Sequence, residues 1–459
     1  MTQGRTGSLE GSRSSTGLHS TGFIRAGGAE LVDAADTSPS RGSLYGLDGI
    51  NFFNAATLAA FGPYIAVYLA EQNWTQQDIG FVLTASGLAG LLALMPGGGL
   101  LDAVRRKRAL IALGASLVAV SALVIGIWSN FPVVLAALVM HGTTGAFLGP
   151  AITAISLALV GHSALSEQLG RNQRFASMGS LIATGLMGLT GYLLSYQAIF
   201  MIASALALPL LVALATIRAD DIEFARSCGA PHANASIRPE RPTPRSFGKS
   251  LELLTFAACL FLFQLANAAM LPLIGAALVY EGESRSSLIV AALIVLPQIV
   301  VAVLAPWVGH RAQSWGRRPL LLIGFGALPV RALLFASTAY PPFLIGIQLL
   351  DGLSGAVLGV LTALVIHDLT RRTGHFNLAQ GIVGTASGIG AALSTAVFGF
   401  VTVSFGQMAV FLSIASVAVI GALILWLLMP ETKLALTVAR GIRRRWRRWI
   451  DMGGLRGRP

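Results

Sequence analysis

Apolar residues in this chain fall into blocks of about 20, each long enough to cross roughly 30 Å of hydrocarbon as an α-helix. Short polar breaks separate the blocks. They lie near residues 46–70, 79–101, 109–128, 132–160, 175–194 and 198–217, and again near 250–279, 286–308, 320–339, 342–367, 378–401 and 408–429. The pattern predicts an all-α integral membrane protein with twelve transmembrane helices in two pseudo-symmetric six-helix bundles. A polar stretch at 218–249, containing Pro231, Pro239, Pro242 and Pro244, parts the two sets and reads as a linker. The expected organisation is a disordered tail at 1–44, a bundle at 45–217, the linker, a second bundle at 250–430 and a basic tail at 431–459. The first 44 residues hold no apolar run of signal-peptide length.

Composition agrees with the pattern. With 54% hydrophobic and only 11% charged residues, there is too little charge to coat a soluble domain. A net charge of +12 would suggest nucleic acid in a soluble protein, but here the positions of the charges carry the meaning. Both termini and the loops after spans 2, 4, 6, 8 and 10 share one side. All of the 32 Lys and Arg lie there except Arg285, in an outer loop, and Arg331, inside a span. Positive charge marks the cytoplasmic side, so both termini are expected in the cytoplasm. The run from Arg443 to Trp449 is then expected to rest on anionic lipid, and no nucleic-acid partner is expected. Cys228 and Cys259 are too few for a disulfide framework, which fits an inner cell membrane.

The halves also repeat. The segment from His141 to Gly149 aligns with that from Asp351 to Gly359 at an offset of about 210 residues, sharing three glycines. Pro63 falls opposite Pro272, and Pro96 opposite Pro306. Parallel six-span repeats are an architecture of solute transporters, with the site between the halves.

The loops after spans 2 and 8 carry a resemblance to a known family. Gly98-Gly-Leu-Leu-Asp102-Ala-Val-Arg-Arg106-Lys107 resembles the Gly-x-Leu-x-Asp-Arg-x-Gly-Arg-Lys signature of the major facilitator superfamily (MFS). Gly309-His-Arg-Ala-Gln313-Ser-Trp-Gly316-Arg317-Arg318 resembles its weaker second copy, and Pro430-Glu431-Thr432 a common ending. Ala103, Arg105 and Gln313 depart from the pattern, standing where the family has Arg, Gly and Asp. The resemblance implies secondary transport of a small solute by alternating access. Gly98, Asp102, Arg106 and Lys107, with Gly309, Gln313, Gly316, Arg317 and Arg318, would form a gating latch favouring the outward-facing state. Asp102 can serve it by accepting hydrogen bonds from a neighbouring helix end. The resemblance also implies that spans 1, 4, 7 and 10 line the cavity.

Ionisable groups deep in a span are costly and usually face a cavity or each other. Arg331 lies nine residues before Tyr340 and Asp351 eleven after it, so their depths differ by only about 3 Å and they can pair. His141 and Asp351 occupy equivalent places in the repeat. Asp351, His141 and Arg331 are therefore the candidates for proton coupling, against a permanent structural pair and a packing histidine. Arg331 could alternatively meet an anionic substrate. Asn51 with Asn54, and Gln264 with Asn267, share helix faces by their spacing and are candidate substrate contacts or interhelical hydrogen bonds, as are Gln298 and Gln348. Asp48 is expected to cap a helix N-terminus. Span 5 carries Gly179, Gly185, Gly188 and Gly191, which suit close sliding contact and partly resemble a drug-exporter motif, while Leu138 stands where those exporters use arginine. His162, His367, Asp368 and His375 lie near the inner surface, too scattered to form a site.

Metal-ligand clusters, nucleophile elbows and phosphate loops are missing from the sequence, so it reads as a non-enzyme without cofactors. A small solute and protons are its expected partners, and it is expected to be monomeric. The alternatives are an uncoupled facilitator, a drug/proton antiporter, or a non-transporting receptor on the same scaffold.

Overall fold

The structure, a computed structural model, describes residues 39–61, 63–219, 221–222, 251–280, 286–338, 340–371 and 374–432. Most of the expected N-terminal tail and linker, Arg285, Cys228 and the basic run at 443–449 lie outside the described residues.

The described residues of the first half form α1 (Arg41–Ala59), α2 (Pro63–Glu71), α3 (Gln76–Ala103), α4 (Lys107–Ile127), α5 (Phe131–Leu193), α6 (Tyr196–Ala205) and α7 (Ala207–Thr216). Those of the second half form α8 (Leu251–Asn267), α9 (Met270–Tyr280), α10 (Ser286–Trp315), α11 (Arg318–Ser337), α12 (Pro341–Thr370) and α13 (Phe376–Leu428). Local signals set the starts. Ser40, Thr75 and Ser195 accept from the amides of Ser43, Asp78 and Ala198, satisfying donors that a first turn leaves orphaned. Pro341 and Pro342 open α12, where a missing N–H costs nothing. Outside the apolar spans, Asp221 accepts hydrogen bonds from the hydroxyls of Ser40 (2.8 Å) and Ser43 (2.7 Å), which hold its carboxyl below the ordinary value.

Ten helical stretches among the described residues are long and apolar enough to cross a bilayer. Two are too long to be one crossing. The 63 residues of α5 would extend about 95 Å as a straight helix. The chain turns at Gly161 (φ 67°, ψ −172°), and α13 does the same at Gly406 (φ 84°, ψ 174°), conformations open to glycine and strained for other residues. Each long helix thus holds two segments of membrane length. The sequence pattern places the fifth span at 175–194. Helix in fact resumes directly after Gly161, so polar residues such as Gln168, Asn172 and Arg174 are its first turns, not a loop.

Spans 1 and 7 are each interrupted at corresponding places. α1 gives way to α2 through a turn at Ala60 and Phe61, and α8 to α9 through Ala268 and Ala269. The exterior is apolar, with Leu92, Leu194, Phe400, Val403 and Phe405 all exposed, as a surface bathed in lipid requires.

Backbones from the two halves meet closely at the end bearing the basic loops. A methyl group on Gly98 would strike the Asn377 carbonyl, and one on Gly381 the Leu94 carbonyl. In the mirrored contact, Gly309 meets the Ser166 carbonyl and Gly170 that of Ala305. The second set follows from the first by the offset of the sequence repeat. The internal repeat is therefore a repeat of helix contacts, α3 on α13 and α10 on α5.

Candidate functional site

Among the described residues, two cavities hold predicted polar groups. The first, about 500 Å³, is walled by α8, α10, α12 and α13 and lined by Gln264, Asn267, Gln298, Asp351, Ser354, Thr362, Gln380 and Ser387 among apolar neighbours. The second, about 420 Å³, lies among α3, the first arm of α5 and Phe61. It is mostly apolar, with His141 and Ser86 its polar side chains. Leu94 borders both.

Arg331 and Asp351 pair as their depths require. Their exposures differ sharply: the Arg331 side chain is 3% exposed and the Asp351 side chain 29%. The guanidinium is buried behind the carboxylate, and the carboxylate faces the cavity. Arg331 also donates to Asn267 Oδ1 at 2.7 Å and lies 5.6 Å from the centroid of the Phe335 ring. A desolvated charge needs such satisfaction, because its hydration has been lost. Asn267 therefore both lines the cavity and holds the arginine.

His141 lies in the neighbouring cavity. Its ring stacks on Phe61 with centroids 3.6 Å apart and planes 13° from parallel. The turn between α1 and α2 is what brings Phe61 there.

The other polar candidates divide. Gln264 and Gln298 line the first cavity. Gln348 does not: it is buried, and its amide donates to the Leu293 carbonyl at 2.9 Å, tying α12 to α10. Asn51 donates to the Leu47 carbonyl of its own helix at 2.8 Å, and neither Asn51 nor Asn54 borders the two cavities.

The basic end is closed by polar contacts between the halves. Asp102, at the end of α3, accepts from the amides of Asn377 (3.3 Å) and Leu378 (2.9 Å) and from the Asn377 side chain (2.7 Å). Those amides belong to the first turn of α13, where the carboxylate satisfies orphan donors and the positive helix end. Lys107 is buried and donates to the Leu101 carbonyl, while Arg106 is exposed at the start of α4. In the second half Gln313 makes no such bond among the described residues, and an exposed His310–Glu167 contact of 3.2 Å lies nearby. Gly316 takes φ +97°, and the Glu431 carboxylate caps α11 by accepting from the amides of Arg317 (2.8 Å) and Arg318 (3.0 Å). Arg317 also donates to Asp368 at 2.8 Å.

Two further expectations need correction. Asp48 caps no helix; it pairs with Arg171 on α5, and Ser40 holds the cap position of α1. The histidines are not all scattered either. His162 Nδ1 and His367 Nε2 lie 2.7 Å apart, with rings stacked at 4.6 Å, joining α5 to α12 across the halves. Their separation of 205 residues does not match the repeat, so no sequence signal marked the contact.

A lipid-facing helical bundle with an internal repeat, a central polar cavity and a latched end defines a membrane carrier scaffold. The chain belongs to the Major Facilitator Superfamily, whose family model matches residues 47–328 and 256–459. It is 35% identical over 387 residues to an uncharacterized MFS-type transporter of Mycobacterium tuberculosis, covering 84% of this chain and 93% of that one. Among solved structures it is similar to the human organic anion transporter MFSD10 (TM-score 0.66, 16% identity, 84% of this chain and 99% of that one). It is also similar to the proton:xylose symporter XylE (TM-score 0.65, 15% identity, 85% and 96%). The protein is thus a multi-pass membrane protein of a transporter family.

Proposed function

We propose that the chain is a twelve-span secondary carrier that moves a small solute by alternating access between its halves, with a proton bound and released at Asp351. The observation that carries this reading is the asymmetric pair, a cavity-facing carboxylate backed by a buried guanidinium. Protonation of Asp351 would leave Arg331 charged and buried without its counter-charge, beside the neutral Asn267, so the proton's arrival changes the energy of the packing around α11 and α12. This supplies what coupling needs, a titration that alters the relative stability of two conformations. XylE, a proton:xylose symporter of similar fold, supports the same reading by analogy.

The basic end is assigned to the cytoplasm by the positive-inside rule, with both termini on that side of a cell membrane. The Asp102 latch and the His162–His367 contact then close the inner side. His141 is the second proton-site candidate, tested beside the first.

The test is solute uptake into proteoliposomes under an imposed pH gradient. Wild type should accumulate solute, and Asp351→Asn should lose accumulation while retaining downhill exchange. His141→Gln separates the two candidates. Full gradient-driven accumulation by Asp351→Asn overturns the coupling role of Asp351.

A further inference from the structure

Across the described linings of both cavities, the one residue of fixed charge is a carboxylate, Asp351. The positive charge that balances it is withdrawn: Arg331 is 3% exposed, and its Nη1 donates to Asp351 and Asn267. A solute in the first cavity therefore meets one charged group, the Asp351 carboxylate, with the amides of Gln264, Gln298 and Gln380 able to donate or accept, and not guanidinium. An anion there would face a like charge in a medium of low dielectric, where repulsion is poorly screened. The second cavity is different in kind. The Phe61–His141 stack, Leu83, Leu91 and Leu138 make it apolar, and Gly87 leaves its wall open. A polar lobe with one carboxylate and an apolar, aromatic lobe share Leu94 as a common border.

We propose that the solute is a cationic amphipath, with a donor-bearing head, such as an ammonium group, on Asp351 and an apolar body reaching past Leu94 toward Phe61 and His141. This rests on the carrier reading above and adds its substrate class. Transferring an apolar body from water into the second lobe supplies affinity, and the carboxylate supplies the choice of head group. Organic anions, the solutes for which the MFSD10 transporter is named, are selected against here.

The test uses three compounds with one ring system and different heads: naphthylmethylammonium, naphthylmethanol and naphthoate. Binding to the full chain purified in detergent is measured by isothermal titration calorimetry. The ammonium should bind tightest, the alcohol next and the carboxylate weakest, with about tenfold or more between the ends of the series. In Asp351→Asn the ammonium should fall to the level of the alcohol. Because that substitution also unpairs Arg331, Leu94→Trp provides a second arm; it should weaken all three compounds and keep their order. Naphthoate binding as tightly as the ammonium, no binding by any of the three, or unchanged affinities in Leu94→Trp would each overturn the proposal. Counterflow in proteoliposomes keeps the two readings apart. Exchange of some solute with the reversed head-group order leaves the carrier standing and removes the cationic class. The predicted order without exchange of any solute does the opposite.

Discussion

At the scale of single residues, the arrangement around Arg331 is costly and informative. A guanidinium with almost no access to water is tolerable only while its neighbours accept its hydrogen bonds. Removing one partner is worse than removing both. Asp351→Leu should destabilise the protein by about 3–5 kcal/mol, whereas Arg331→Met with Asp351→Leu should recover most of that loss. Thermal unfolding in detergent checks both; a double variant no more stable than the single would show that the pair is not what holds this region. Residue spacing alone predicts this pair, because two helices joined by a short turn place symmetric positions at equal depth. Asn267 as its third member was not legible, since contact between α8 and α11 depends on how non-adjacent helices pack. Asn51 misled for a related reason: a polar side chain in a helix can satisfy itself on the carbonyl one turn back, and nothing in its spacing shows that it has.

At the scale of helices, the polar contacts between the halves gather where elements end. Asp102 serves as an N-terminal cap supplied from the other half of the molecule, accepting from the first turn of α13. Asp102→Ala should loosen the contact of α3 with α13 and raise the labelling rate of a cysteine placed at the basic end, with little change in thermal stability. Gly98→Val should act in the same direction through steric collision with the Asn377 carbonyl. The His162–His367 contact adds a pH dependence. A hydrogen bond between two ring nitrogens needs one protonated and one bare nitrogen; when both rings are charged, two donors face each other. The contact should therefore hold at neutral pH and part only in acid, over the range in which the second ring also takes up a proton. Distances between spin labels on α5 and α12 should lengthen over that range in wild type. The double variant His162→Gln with His367→Gln should show a flat profile; an unchanged profile would remove the histidines as the cause. Asp102 was readable in advance because its motif is local. The histidine contact was not, because it joins helices of different halves off the repeat.

At the scale of the whole molecule, the halves share contacts but not chemistry, and helix boundaries explain the difference. The glycine approaches of α3 on α13 are reproduced by α10 on α5, yet Asp102 is matched by Gln313. α13 begins at Phe376, so the amides of Asn377 and Leu378 are first-turn donors without helical partners, and a carboxylate belongs beside them. The corresponding stretch of α5, near Glu167 and Gln168, lies several residues after the restart at Gly161. Its amides are already spent within the helix, so an anion there has no orphan donors to meet. The apolar blocks predict the crossings and the offset predicts the repeat, but the loop expected before the fifth span concealed this difference in helix phase. It follows that the two positions should respond oppositely to exchange. Asp102→Gln should weaken the latch, since a neutral amide cannot complement the positive helix end as a carboxylate does. Gln313→Asp should not build a second latch; it should place a new carboxylate near Glu167, itself exposed and in contact with His310, and destabilise the α10–α5 contact by like-charge repulsion. Cysteine labelling at the basic end, read separately on the two sides, distinguishes the cases. Slower labelling in Gln313→Asp would mean that the latch follows the repeat rather than the helix ends.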